Sequence, residues 1–147
     1  MLRAARAGEA EALRALVERA YAAYVPVIGR RPAPMDDDYA ARIAAGQATV
    51  LERDGRIAAL LVMVPEPSHL SLDHIAVDPG AQHAGTGRLL MQAVFDEARR
   101  LGLPEVRLVT NEKMTRNIGI YTRLGFEEYG REEMGGFRRV LMRRRLD

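Results

Sequence analysis

The chain has 147 residues, which fits one domain able to bury roughly 70% of the surface its unfolded chain exposes. Apolar residues at 48% and charged residues at 29% are the profile of a globular protein, and 22 basic against 20 acidic residues leave a charge of only +2, too even for a dedicated nucleic-acid binder. The absence of cysteine excludes disulfides, thiolate nucleophiles and cysteine-held zinc.

Arg3, Arg6 and Glu9 interrupt residues 1–10, so no signal-peptide core is expected there. The longest apolar stretch, 57–65, is far too short for a membrane span. The expectation is a cytoplasmic protein with no membrane partner. In chain order, residues 2–4 suit a short strand and Gly8-Glu9 a helix entry. Leu13, Leu16, Val17, Ala20, Tyr21 and Tyr24 recur at three and four, which predicts an amphipathic helix from Ala10 to about Tyr24. Pro26, Gly29, Pro32 and Pro34 then predict a loop. Asp36, Asp37 or Asp38 can cap a second short helix through Tyr39 and Ile43, ending near Gly46. Asp54-Gly55 is a two-residue turn joining strands over 49–52 and 56–64, the second closed by Pro65 and Pro67. Alternation over 70–77 marks a fourth strand, followed by an Asp78-Pro79-Gly80 loop.

Residues 87–101 carry the clearest helix pattern, with Leu89, Leu90, Ala93, Val94, Ala98 and Leu101 as its apolar stripe and Gly102 as C-cap. A fifth strand is expected over 106–110 and a helix over 115–124, closed by Gly125. A final antiparallel pair, 126–131 and 137–142, turns at Gly135-Gly136. With no repeat, linker or low-complexity tract, the whole of 1–147 is expected to form a single α/β domain.

The stretch that carries chemistry runs from His74 to Leu90: a strand, a turn, and a glycine-bearing loop opening the long helix. Unpaired N–H groups at a helix N-terminus, with the helix dipole behind them, make a seat for a pyrophosphate. Glycines let the backbone approach it closely. Arg88 in the first turn could add a charge-assisted contact. The P-loop pattern fails, because Arg88-Leu89 stands where Lys-Ser/Thr is needed. The dinucleotide fingerprint fails too, because Leu90 stands at its third small position. Gln-x-x-Gly-x-Gly, Gln82 to Gly87, fits after a strand ending Ala-Val-Asp-Pro.

That combination resembles the GNAT superfamily of acyl-CoA-dependent N-acetyltransferases. Asn117 to Phe126, with Tyr121 ahead of a Leu124-Gly125-Phe126 turn, is similar to the family's second signature, and the element order matches from Leu2 to Leu146. The resemblance implies a mixed, mostly antiparallel central sheet of about six to seven strands flanked by helices. That sheet would splay between the fourth and fifth strands, with coenzyme A in the opening. It implies that Ile75 and Val77, with Ala76 between them, meet the pantetheine arm through their main chain. The N–H groups of Gln82, His83, Ala84, Gly85, Thr86, Gly87 and Arg88 would hold the pyrophosphate. Asn117 and Tyr121 would sit near the thioester, and Arg123 near the phosphates or adenine. Many family members carry asparagine seven residues before the tyrosine. Here that residue is Met114, and Asn111 and Asn117 are the available substitutes. The implied activity is acetyl-CoA-dependent transfer to a primary amine by direct attack, with no metal and no nucleic acid. Small polyamines, aminoglycosides, amino acids and protein N-termini all use this scaffold, so the sequence leaves the acceptor open, with a small-molecule amine favoured over a protein N-terminus.

Acyl transfer to an amine needs proton removal from the amine, donors for the oxyanion and a proton for the departing thiolate. Tyr121 is the candidate acid, against a reading as a core tyrosine beside Ile118 and Leu124. Asp73, placed by alternation on the face of Ile75 and Val77, is the candidate base or amine-recognising anion, against a reading as an exposed strand acid. His74 falls on the opposite face and reads as structural. His83 matters through its backbone, and three scattered histidines make no metal site. Tyr24, Met35 and Tyr39 are the expected acceptor wall, with Tyr21 and Arg30 nearby; Tyr21 equally suits the core. The C-terminal arginines read as a solvated strand face. A non-catalytic acyl-CoA-binding regulatory module is the competing function, and a homodimer is an expectation carried by the resemblance alone.

Overall fold

In the computed structural model, which describes residues 1–82 and 85–147, the strand patterns assemble into one sheet of seven strands. They are β1 (Leu2–Ala4), β2 (Ala48–Arg53), β3 (Arg56–Pro65), β4 (Leu70–Val77), β5 (Glu105–Asn111), β6 (Glu127–Met134) and β7 (Phe137–Arg145), in the order β1-β2-β3-β4-β5-β7-β6. The helices are α1 (Ala10–Tyr21), α2 (Val25–Ile28), α3 (Tyr39–Ala44), α4 (Thr86–Arg100) and α5 (Thr115–Arg123). Every neighbouring strand pair is antiparallel except β4 with β5, whose parallel pairing requires the crossover that α4 supplies.

Each face of the sheet is covered by apolar side chains. On one, Leu13, Leu16 and Val17 of α1 and Tyr39 of α3 pack on Val50, Leu60, Val62 and Ala76. On the other, Leu90, Met91, Val94, Phe95 and Ala98 of α4 pack on Leu61, Leu72, Leu108 and Val140. Full burial of each such side chain is worth roughly 1.5–3 kcal/mol, which fixes both helices to their faces. The α4 stripe differs from the expected one, because Leu89 is 44% and Leu101 38% exposed. Leu89 lies outside the arc that a 3.6-residue repeat draws through Leu90 and Val94, and Leu101 lies past the helix end; Met91 and Phe95 fill the face instead.

α1 ends at Tyr21 rather than near Tyr24, and the stretch from Pro26, expected to be a loop, is partly helical. A 3₁₀ turn (Ala22–Tyr24) leads into α2, where Pro26 occupies the first turn and its missing N–H costs nothing. A second 3₁₀ turn covers Ala33–Asp36, and Asp38 caps α3 by accepting from the Ala41 N–H at 3.1 Å. Asp54 (φ 53°) and Gly55 (φ 75°) are both left-handed, as the tight hairpin turn requires.

The sheet opens at one seam. β4 pairs with β5 only where Leu70 to Leu72 meet Val106 to Leu108. Beyond Leu72, β4 stays on β3 as far as Val77 and β5 stays on β7 as far as Asn111, so the two strands part. The β3–β4 register slips there: Val62 faces His74 and Met63 faces Leu72, leaving Asp73 as the extra residue of a β-bulge. The bulge bends β4 just where its pairing with β5 ends. No helix among the described residues is long and apolar enough to cross a membrane.

Candidate active site

The parting strands leave a cleft of about 440 Å³, with β4 as one wall and β5, β7 and α5 as the other. The phase of the β3–β4 ladder decides which main-chain groups of β4 face it. The Asp78 N–H donates to the Ala58 carbonyl at 2.8 Å, and on the other side of β3 the Met63 N–H donates to the Gln47 carbonyl at 2.9 Å. Bonded and non-bonded pairs alternate in an antiparallel ladder, so Leu60 with Ala76 is a bonded pair. The main chain of Ala76 is therefore spent on β3, contrary to its expected contact with a ligand, and its side chain is buried. Ile75 and Val77 turn their main-chain groups to the open edge. The Ile75 carbonyl there accepts from the Tyr21 hydroxyl at 3.0 Å, and the Val77 carbonyl from Gln82 Nε2 at 3.1 Å.

The bulge also overturns the expected placing of Asp73. Leu72, Ile75 and Val77 pack in the cluster beneath α4. Asp73 instead turns toward α3, where Oδ2 meets Arg42 Nη1 at 3.0 Å and Oδ1 accepts from Ser71 Oγ at 2.6 Å. It shares that side with His74, so simple alternation fails by one residue. Asp73 still lines the cleft, as an ion-paired carboxylate. His74 Nε2 meets Asp37 Oδ2 at 2.6 Å. Burial pushes the Asp37 carboxyl up, but the hydrogen bonds from His74 and the Asp38 N–H hold it below the usual range. His74 Nδ1 is buried with no partner among the described residues, so neither ring nitrogen is offered to the cleft.

Across the cleft, Tyr121 of α5 is half-buried and packs edge-on to Phe126 with ring centres 5.9 Å apart. Burial, with Tyr24 adding to it, pushes its phenol up to about 12. Asn111, Asn117 and Met114 line the same wall, and Asn111 Oδ1 accepts from the Lys113 N–H at 2.9 Å. Arg123, at the end of α5, is exposed and away from the cleft.

The glycine loop lies at the other end of the β4 edge. Asp78 shapes its start: the Gly80 N–H donates to Oδ1 at 3.0 Å and Arg19 of α1 holds Oδ2 at 2.7 Å, which together lower the carboxyl below its usual range. His83 and Ala84 lie outside the described residues. Gly85, left-handed at φ 98°, precedes α4, and among the described residues the first N–H groups of the helix have no side-chain cap. A Cβ at Gly85 or Gly87 would meet no atom of the described residues within 4 Å beyond their chain neighbours, which leaves room beside this turn. Arg88 is exposed beside it, and Thr86 is buried and accepts from Arg53 Nη1 at 3.1 Å. Open N–H groups, two nearby guanidiniums and free space fit a diphosphate.

The acceptor wall differs from expectation. Met35 and Tyr39 are 4% and 0% exposed and belong to the core, with the Tyr39 hydroxyl bonded to the Pro34 carbonyl. Tyr24 packs against Tyr21 with the rings tilted by 56° and their centres 5.8 Å apart, but it does not line the cleft. Tyr21, Ile28, Pro34, Arg42, Phe137 and Arg139 do. No local pattern marks Arg42, Arg53, Phe137 or Arg139: Arg42, Arg53 and Phe137 meet partners distant in sequence, and Arg139 is set beside the cleft by the pairing of β7 with β5. The C-terminal arginines are largely matched within the sheet: Arg138 with Glu112, Arg139 with Glu132, and Arg143 with Glu127, while Arg144 lies 4.1 Å over the Phe95 ring.

Several known proteins are similar to this chain. Residues 11–126 match the acetyltransferase (GNAT) family model. The ribosomal protein bS18-alanine N-acetyltransferase of Escherichia coli K12 is 32% identical over 78 residues, 53% of either chain. The mycothiol acetyltransferase of Thermomonospora curvata is 33% identical over 84 residues, 56% of this chain and 28% of that protein. The alignment thus spans about half the length of the first of these relatives and less of the second. Among solved structures, the PaiA N-acetyltransferase of Thermoplasma acidophilum in complex with coenzyme A superposes with a TM-score of 0.82 at 13% identity, covering 99% of this chain and 98% of that one. The E. coli S18-alanine enzyme gives 0.73 at 19% identity, covering 99% and 92%. The two solved structures share the fold of this chain, and the chain belongs to the acetyltransferase (GNAT) family.

Proposed function

We propose that this chain is an acetyl-CoA-dependent N-acetyltransferase that acts on a primary amine, a small molecule rather than a protein N-terminus. The observation that carries the reading is the seam. β4 leaves β5 after Leu72, and the main chain of Ile75 and Val77 lies along an open edge that leads from the glycine loop to Tyr121. An extended amide-bearing arm fits such an edge as a short added strand. The open N–H groups at the start of α4 suit its pyrophosphate, with Arg53 and Arg88 nearby.

Acetyl-CoA supplies the acetyl group on an activated thioester. Ile75 offers an N–H from a fixed strand to the oxygen that gains charge as the amine attacks. The Asp73 carboxylate attracts the incoming ammonium, which releases one proton to solvent to become the attacking amine. Asp73 then receives the second proton from the acylated nitrogen, directly or through water, and the Tyr121 phenol is reprotonated from solvent after turnover. A nitrogen–carbon bond forms and the carbon–sulfur bond breaks. Tyr121, whose phenol keeps its proton at neutral pH, gives that proton to the departing sulfur.

The test is amine-dependent release of CoA thiol, followed colorimetrically over a library of small amines, with each acetylated product confirmed by mass. Release that requires both acetyl-CoA and one class of amine supports the reading. Tight acetyl-CoA binding without thiol release for any amine would instead identify a non-catalytic binding module.

A further inference from the structure

Asp73 is the one residue of β4 that has no partner across the sheet. The β3–β4 ladder passes from the pair Val62 with His74 to the pair Met63 with Leu72 and leaves Asp73 between them. Pairing with β5 has already ended at Leu72. A bulged residue has no ladder hydrogen bonds to set its direction, and a slip of one position would carry its side chain to the opposite face.

A closed ring of side chains supplies the missing constraint. Asp73 Oδ2 accepts from Arg42 Nη1 of α3 at 3.0 Å, and Arg42 Nε donates to Asp37 Oδ2 at 2.9 Å. His74 Nε2 meets the same Asp37 oxygen at 2.6 Å, and the Asp73–His74 peptide bond closes the circuit. Two further contacts brace it: Arg42 Nη1 donates to Gln47 Oε1 at 3.0 Å, and Ser71 Oγ donates to Asp73 Oδ1 at 2.6 Å. The side chains of the ring range from 11% exposed at His74 to 28% at Asp73, so water screens these contacts less than those of a surface pair. Both Arg42 and Asp73 line the cleft.

We propose that Arg42 is a positioning residue for acetyl transfer: tied through Asp37 to His74, it holds the Asp73 carboxylate toward the amine from a strand position that the sheet leaves free. The inference rests on the enzymatic reading above and adds to it the residue through which Asp73 is aimed. A guanidinium suits the task, because its planar fork binds two carboxylates in fixed directions and the point charge of a lysine does not. The ladder to β3 holds the rest of β4 without Arg42, so the main-chain edge at Ile75 and Val77 is independent of the ring. The influence of Arg42 therefore falls on the amine and not on acetyl-CoA.

A double-mutant cycle separates positioning from plain structural support. Wild type, Asp73→Asn, Arg42→Ala and the double variant are compared in kcat and KM for the best amine of the library and in KM for acetyl-CoA, with a melting curve for each. Arg42→Ala should fold, because each carboxylate keeps another donor: Ser71 for Asp73, and His74 with the Asp38 N–H for Asp37. Asp73→Asn is expected to lower kcat/KM for the amine by roughly 10²–10⁴-fold. Arg42→Ala should lower it by roughly 10–100-fold, the cost of a misaimed group, with KM for acetyl-CoA held within about twofold. In the double variant the loss should stay within about twofold of that in Asp73→Asn, because Arg42 then has nothing left to aim. Arg42→Lys should recover part of the loss, since it restores charge without the fork, and it carries the same cycle if Arg42→Ala does not fold. Losses that multiply in the double variant, a rise confined to KM for acetyl-CoA, or wild-type turnover in Arg42→Ala would overturn the role of Arg42. Wild-type turnover in Asp73→Asn would overturn it together with the part given to Asp73. No transfer from the wild type to any amine would overturn the enzymatic reading itself.

Discussion

Replacing Tyr121 with phenylalanine removes one hydroxyl from the cleft and leaves the ring in place. The ring's contact with Phe126 has centres 5.9 Å apart and does not involve the hydroxyl, so packing should survive. Stability should change by no more than about 0.5 kcal/mol. The phenol is pushed up to about 12 by burial, so at neutral pH nearly every molecule carries the proton that the departing sulfur needs. Loss of a positioned general acid costs roughly 10²–10⁴-fold in rate. At 1.36 kcal/mol per tenfold, that is about 2.7–5.4 kcal/mol of barrier. The affinity for acetyl-CoA should hardly move, because the hydrogen bond strengthens only as charge builds on sulfur. Steady-state kinetics with the best amine, beside a melting curve for each protein, separate the possibilities. A variant with unchanged kcat and a lowered Tm would make Tyr121 a packing residue and remove it from the mechanism.

Gly87→Glu should abolish acetyl-CoA binding in a calorimetric titration, because a carboxylate would enter the open space before α4; wild-type affinity would refute the pyrophosphate seat. Arg53→Ala should raise KM for acetyl-CoA roughly tenfold with kcat retained, the size of one charged hydrogen bond of about 1.5 kcal/mol, since Arg53 holds Thr86 in the first turn of α4. An unchanged KM would confine Arg53 to the hairpin. The Glu9 carboxyl is lowered from 4.5 to about 2, chiefly by its hydrogen bonds from Arg3 and then from the Arg6 N–H. A depressed carboxylate contributes stability that is complete above the unfolded value of 4.5 and is lost as pH falls toward 2. Between those limits the wild type should therefore lose more Tm than Glu9→Gln does; parallel curves would contradict the link.

The strands and long helices were legible because their apolar residues follow periods of 2 and 3.6 over many positions. Leu70, Leu72 and Ala76 lie in a strand, and Leu90, Val94 and Ala98 on one helix face, as their spacing predicts. The glycine loop was legible through local chemistry, since a strand, a turn and an uncapped helix start are contiguous in sequence. The bulge at Asp73 was not, because it depends on how β4 registers against β3, and one extra residue moved Asp73 to the other face. The acceptor wall was misread for a related reason. Met35 and Tyr39 lie close in sequence to Pro34, which lines the cleft, yet they belong to the core beneath α1, while Phe137 and Arg139 come from the far end of the chain. Arg42 carries no motif; its pairing with Asp37 and Asp73 exists only once α3 docks on β4.

The central claim is that the open edge of β4 delivers an acetyl thioester to Tyr121, and a crystal structure with coenzyme A bound tests it most directly. The predicted result has three parts: the pyrophosphate lies on the N–H groups that open α4, the pantetheine arm bonds the main chain of Ile75 and Val77, and the sulfur sits within hydrogen-bonding reach of the Tyr121 hydroxyl. A coenzyme bound outside the seam, or one whose sulfur faces a closed wall away from Tyr121, would contradict the claim.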